Sequence, residues 1–247
     1  MRCASEFRNE DRKASGAADA ARRRAARALH CLATTTRRAS IMSLFKKFEP
    51  KPDLGPATAL KSSVRRVIRQ KLCEQYPVLA EEEGALLEAA WPNKASVTTV
   101  KFAREHVQML ISDKQVLFFQ HYDDWYLPSL RLLHKCKFVA SVLSLPEMLP
   151  SVQVDRGAIK FVLSGANVMS PGLVSAGGKL PDPSKGEQPI KEGECVAIRA
   201  QGKNEVLAVG VMKMDSEQVR KTGKGIAIEN IHYLGDDLWL TLSKGGI

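Results

Sequence analysis

Cysteine is scarce in this chain of 247 residues and poorly placed for chemistry. The five are Cys3, Cys31, Cys73, Cys136 and Cys195, with no C-x-x-C pair and no cysteine–histidine pair at zinc spacing. That spacing excludes a zinc module, argues against a disulfide framework and leaves reduced thiols. No uncharged apolar run approaches the roughly 18–20 residues that a membrane-spanning helix needs. The phosphate-cradling patterns G-x-x-x-x-G-K-[ST] and G-x-G-x-x-G are both missing, and Gly223-Lys224-Gly225 lacks their frame. Ser164-Gly165 is not a nucleophile elbow. His30, His106, His121, His134 and His232 form no H-E-x-x-H, and none has a partner motif for general-base work. No catalysis, metal or cofactor is expected.

What is present is ordinary globular material, 44% apolar and 26% charged. The net charge of +10 is unevenly spread. Residues 1–41 hold nine Arg and one Lys against Glu6, Glu10, Asp11 and Asp19, a net +6, so the remaining 206 residues carry only +4. Nucleic-acid binding by the body must therefore rest on local patches. The leader is rich in Ala, Arg, Ser and Thr and poor in core-forming residues, so it is expected to be disordered or a loose helix. Its four acids weigh against an organelle transit peptide. An upstream stretch, with the protein proper opening at Met42, is the favoured alternative.

The body reads as two small domains. Pro50, Pro52, Gly55 and Pro56 break the chain, and a helix is expected over residues 58–75. Leu60, Val64, Val67, Ile68 and Leu72 form its apolar stripe, and Lys61, Arg65 and Arg69 stand at i, i+4, i+8 as a basic stripe beside it. Three aligned cations make a possible second phosphate-binding patch, although a solvated helix face is the blander alternative. A short helix runs to Ala90. Period-two patterns over 97–104, 106–111 and 115–121 predict three strands, with Ser112-Asp113-Lys114 as a turn. A helix follows over 127–135, opened by Pro128. Residues 42–150 are thus a small α+β domain with a linker at 143–150.

From residue 151 the pattern is mostly β. Asp155 caps a short helix over 157–163, and Gly165 suits the left-handed residue that ends it. A strand broken by Pro171-Gly172 is expected over 167–174, and a surface loop over 177–189. Strands follow at 195–200, 205–213, 225–234 and 238–242, with a small helix from 215 or 216 to 221. Many short strands suggest a compact barrel-like fold.

The run VDRGAIKFVLSGANVMSPGL at Val154–Leu173 resembles the opening of a PUA domain, an RNA-binding module. AVGVMKM at Ala208–Met214 and GKGIAIENIHYL at Gly223–Leu234 resemble its later strands. With FKKF at Phe45–Phe48 and LRLLHK at Leu130–Lys135, the body as a whole resembles the malignant T-cell-amplified sequence family. The fold that this implies is α+β: an N-terminal pre-PUA domain followed by a mostly β PUA pseudo-barrel. The function implied is that of a noncatalytic cytoplasmic factor on the small ribosomal subunit. It would act in reinitiation, in recycling of post-termination subunits and in tRNA release or delivery, as a heterodimer with a density-regulated protein homologue. The chain alone would be a monomer. The alternative is the RNA-targeting module of an RNA-modification complex, which would need a catalytic domain for which residues 42–150 leave little room.

The resemblance carries the RNA face to Lys160, Gly165, Ala166, Met169, Pro171, Gly172 and Leu173. Physically, Gly165-Ala166 and Pro171-Gly172 have little side-chain bulk, so a backbone or base can come close and meet their N–H groups. Core packing is the rival role for Met169 and Leu173. Lys179 and Lys213 are expected to flank the face as phosphate contacts.

Overall fold

The computed structural model describes residues 44–45, 47–49, 53–102, 105–122, 124–143 and 147–244. The expectations for residues 1–41 lie outside them. The first sheet is an antiparallel meander of β1 (Thr58–Ala59), β2 (Val97–Phe102), β3 (Val107–Ser112), β4 (Gln115–His121) and β5 (Tyr126–Pro128), in that order. The β3–β4 hairpin turns on Asp113 and Lys114, at φ of 50° and 60°. Two positive φ values belong to the type I′ turn, whose twist matches a two-residue hairpin. Phe118 and Phe119 point to opposite faces of β4 and both are fully buried, so the sheet has apolar cover on each side.

Three helices accompany this sheet: α1 (Ser62–Gln75), α2 (Ala85–Ala90) and α3 (Leu130–Leu143). Two expectations are corrected here. Helix α1 begins at Ser62 because Thr58 and Ala59 pair with Thr99 and Thr98 on the sheet edge. Pro128 ends an edge strand instead of opening a helix, and α3 then runs on through the beginning of the expected linker. Proline suits an edge strand, which asks it for no ladder donor on its free side. Of the apolar stripe on α1, Ile68 and Leu72 are buried, whereas Val64 and Val67 stay exposed.

The second sheet has the order β6-β8-β9-β10-β7, from β6 (Ser151–Val154), β7 (Val168–Met169), β8 (Cys195–Ala200), β9 (Val206–Met212) and β10 (Ile226–Tyr233). Only β6 and β8 run parallel. Short helices α4 (Ile159–Leu163), α5 (Pro171–Val174), α6 (Ser216–Thr222) and α7 (Asp237–Ser243) cover its ends. Two strand expectations become helices. Residues 171–174 form α5, because Pro171 is pre-set for a first helical turn. The alternation of LWLTL suggests a strand at 238–242, but Asp236 accepts the Trp239 N–H at 2.8 Å and caps α7. Leu238 and Leu242, at i and i+4, then share its buried face.

The core of the first sheet extends into the second half, which also keeps a core of its own around Val154, Val162, Val196 and Ile228. Phe45, Phe118, Phe119 and Leu130 cluster with Val209, Ile231, Leu238 and Leu242 of the second half. Helix α3 also bridges the sheets, with His134 Nε2 lying 2.9 Å from the Val206 carbonyl. Phe45 is fully buried, edge-on to Phe119 at 5.0 Å and to His232 at 5.7 Å between ring centroids. Truncating it to Ala should cost about 3–5 kcal/mol. Because the larger cluster draws on both sheets, urea unfolding should remain a single transition by circular dichroism and by tryptophan fluorescence. Two resolved transitions would show that the halves fold independently.

Cys136 lies in this core, and burial pushes its thiol up to about 12 against a weaker opposite pull from Lys135. The folded thiol stays protonated where an unfolded one ionises. Its contribution is therefore complete below the ordinary value of 9.0 and is lost as pH rises toward about 12. The urea midpoint should fall between about pH 8 and pH 10, and less steeply in Cys136→Ala. Equal slopes in the two proteins would contradict this.

Candidate nucleic-acid interface

The glycine turn is built from the chain's own local signals. The Asp155 carboxylate accepts the Ala158 N–H at 3.0 Å ahead of α4. Helix α4 ends where Gly165 takes φ +83°, and the Gly165 N–H bonds the Val162 carbonyl at 3.0 Å. A Cβ at Gly165 would sit 2.9 Å from the Tyr233 ring, so both conformation and space demand glycine. Asn230, fully buried on β10, holds the turn from beneath. Its side-chain amide donates to the Val162 and Ala166 carbonyls at 3.0 and 3.2 Å, and its backbone N–H donates to Asn167 Oδ1 at 3.1 Å. Buried Ser170 fixes the next bend by donating its hydroxyl to the Lys224 carbonyl at 3.0 Å. That bend presents Pro171 and Gly172.

The structure sorts the expected residues. Gly165, Ala166 and Gly172 shape the backbone, while Lys160, Met169 and Pro171 stand exposed around it. The Lys160 ammonium lies 4.9 Å from the centre of the Phe161 ring. Leu173 is corrected to a core residue, 2% exposed, because the first turn of α5 directs it inward. Lys213 is corrected to a structural cation. Its Nζ lies 2.7 Å from the carboxylate of buried Glu229, which needs a partner of opposite charge. Lys179 is exposed, and its backbone pairs with Gln153 beside the expected surface loop.

The second basic patch is also corrected. Lys61 is exposed at the start of α1. Arg65 donates to the Asn93 and Ala95 carbonyls at 2.6 and 3.3 Å. Arg69 donates to the Trp91 carbonyl, pairs with Glu88 at 3.3 Å and lies over the Trp91 ring. Carbonyls at and just beyond the end of α2 lack helical partners, and these guanidiniums satisfy them. They are not free for phosphate.

Three residues at the turn escaped the sequence reading. Phe161 and Ile226 are exposed apolar side chains, 55% and 45% accessible, and Ile226 pairs in register with Met169. A helix of five residues cannot bury every apolar side chain it carries, which is the signal available for Phe161. Asn230 is the third, a fully buried amide on a strand, IAIENIHY, that also buries Glu229 and His232. Among the described residues no cluster of three or more His, Cys, Asp or Glu side chains could hold a metal ion. Gly165→Val should cost about 2–4 kcal/mol through strain and overpacking. Asn230→Ala should cost about 1–3 kcal/mol by removing the amide that bonds the Ala166 carbonyl and shares the Val162 carbonyl with the Gly165 N–H. Urea denaturation measures both, and a loss below about half a kcal/mol in either would refute this account of the turn.

The Pre-PUA-like domain pattern matches residues 48–136, and the PUA domain pattern matches residues 150–234. The chain is 41% identical over 199 residues to translation machinery-associated protein 20 of Schizosaccharomyces pombe, covering 81% of this chain and 99% of that protein. It is 43% identical over 196 residues to human malignant T-cell-amplified sequence 2, covering 79% of this chain and 97% of the relative. Its fold is shared with a hypothetical protein of Pyrococcus horikoshii at a TM-score of 0.53 and 22% identity, over 75% of this chain and 99% of the other. With nearly the full length of its relatives covered at this identity, the chain belongs to the malignant T-cell-amplified sequence family, whose fungal members are named translation machinery-associated protein 20.

Proposed function

We propose that the chain is a noncatalytic translation factor of the cytoplasm that meets RNA of the small ribosomal subunit. The observation that carries this is the glycine turn, a rigid and nearly side-chain-free backbone held by Asn230 and rimmed by exposed Lys160, Met169 and Pro171. The Gly165 and Ala166 N–H groups are spent on the Val162 and Phe161 carbonyls, so what the turn offers RNA is close approach to a nearly bare backbone, and the exposed lysine on its rim suits phosphate. The names of its relatives, translation machinery-associated protein 20 among them, support the setting. In that setting the chain acts in reinitiation, in recycling of post-termination subunits and in tRNA release or delivery. A pre-PUA domain over 42–150 and a PUA domain over 151–247 divide the work.

The same rim carries Phe161, Met169 and Ile226, all exposed. Apolar side chains grouped on a surface mark a contact with another protein. A density-regulated protein homologue is the occupant this reading assigns, and the chain alone is a monomer. No helix among the described residues is long and apolar enough to cross a membrane.

Co-sedimentation with purified small ribosomal subunits tests the proposal. The wild-type chain should co-sediment at low salt, with Lys160→Glu weakened about three- to tenfold. Phe161→Ala, which adds no charge beside Lys160, should keep its fold and its subunit binding as a single chain but weaken the complex with the purified partner homologue. Absence of wild-type co-sedimentation, with and without the partner, would overturn the proposal.

A further inference from the structure

Beside the glycine turn, edge strand β6 and the loop at 177–189 bound a cleft of about 710 Å3. Strand β8, the β8–β9 turn and α6 complete its walls. Five cations line it, namely Lys179, Lys185, Arg199, Lys203 and Arg220, against two carboxylates, Asp182 and Glu187. These cations do different work. Arg220 donates to the Leu180 carbonyl at 2.9 Å and also to that of Pro181, so it fixes the loop. Arg199 is paired with Glu147. Lys185 lies 3.9 Å from Asp182, within the loop itself.

The two carboxylates are also committed to the loop. Asp182 accepts both the backbone N–H and the hydroxyl of Ser184, which hold its carboxyl below the usual range. Glu187 accepts the Asp182 N–H at 2.7 Å. Lys179 and Lys203 remain. Both are exposed, they come from different elements, and neither side chain has a partner among the described residues. The cleft is therefore a positively charged trough with two ammonium groups that have no partner among the described residues.

We infer that this cleft binds the sugar–phosphate backbone of single-stranded RNA without reading its sequence. The claim rests on the RNA-binding reading above and adds to it a second contact surface of different chemistry. No aromatic side chain lines the cleft, so it offers no platform on which bases could stack. Its free donors are lysines, flexible point charges without the planar fork that selects one small anion. Each lysine contact with a small ion is screened and weak. A polymer presents a charge at every nucleotide and can engage both lysines at once.

The test uses the full chain and two fluorescein-labelled oligoribonucleotides of about twelve nucleotides, one all-uridine and one of mixed sequence. Anisotropy titrations run from about 50 to 300 mM salt. Lys179→Ala/Lys203→Ala is compared with Lys71→Ala/Lys94→Ala, which removes the same charge from exposed sites on α1 and after α2. Losing two phosphate contacts should flatten the slope of log affinity against log salt by about 1.4 and weaken binding about tenfold at low salt, equally for both oligonucleotides. The control pair should change affinity less than about twofold. An unchanged slope in the cleft variant, an equal loss in the control, a strong preference for one oligonucleotide, or wild-type binding erased by millimolar inorganic phosphate would each overturn the cleft assignment alone. A wild-type chain that binds neither oligonucleotide at the lowest salt would overturn the RNA reading as well.

Discussion

The carboxylate of Asp236 joins the two halves of the molecule. It is 1% exposed, and such a group is tolerated only when its lone pairs are filled. They are: the ring of His232 lies 2.6 Å away through Nδ1, and the backbone N–H groups of Tyr233 and Trp239 donate at 3.1 and 2.8 Å. Those bonds end β10, start α7 and orient the imidazole together. His232 then receives Phe45 and Phe119 edge-on from the first half. The next residue, Asp237, accepts the Phe48 N–H at 3.2 Å and so ties the FKKF segment to the C-terminal helix. His232, Asp236 and Asp237 thus connect the beginning of the described chain to its end.

The candidate interface depends on that same strand. Asn230 lies two residues before His232 on β10, and the ladder to β9 changes register between them. Asn230 faces the glycine turn while His232 lies between the halves. The anchoring of β10 at Asp236 therefore fixes the height at which Asn230 meets the Val162 and Ala166 carbonyls. Rigidity at the turn comes from an amide 68 residues after Val162 in the sequence, not from the local helix, which is only five residues long.

This explains which parts were legible in the sequence. Strands β4 and β8 fall on the expected residues, because alternation with β-branched and aromatic residues leaves them no competing structure. Gly165 was legible because a left-handed helix end is a local, steric demand. Segments whose state is set by a cap or an edge were misread. LWLTL alternates like a strand, yet a capping aspartate and an i, i+4 leucine pair decide for helix. Pro128 fits a helix start until an edge strand proves equally able to use it. Asn230 was hidden for a different reason: its partners are sixty-odd residues away, and no pattern in a single sequence pairs them. The roles of Arg65, Arg69 and Lys213 were hidden likewise, since spacing places a charge on a face without revealing what lies across from it.

The division of labour between arginine and lysine follows from their chemistry. Arg65 and Arg220 reach backbone carbonyls, Arg69 adds a tryptophan face, and Arg131 sits 4.5 Å over Trp239 while bonding Ser243. A planar, weakly hydrated guanidinium loses little on leaving water and satisfies two acceptors at once, so the fold uses it as structure. Exposed lysines also stand beside the turn and the cleft, Lys160, Lys179 and Lys203 among them. A compact, strongly hydrated ammonium gains less from burial and keeps its reach in water. The net charge of the chain is therefore a poor measure of its attraction for nucleic acid. Nine of the arginines lie in residues 1–41, and of those in the body Arg65, Arg69, Arg131, Arg199 and Arg220 are already committed to carbonyls, a carboxylate or an aromatic face. The proposed RNA contact, built on few phosphates, would be weak for free RNA, and its specificity would come from the shape of the glycine turn.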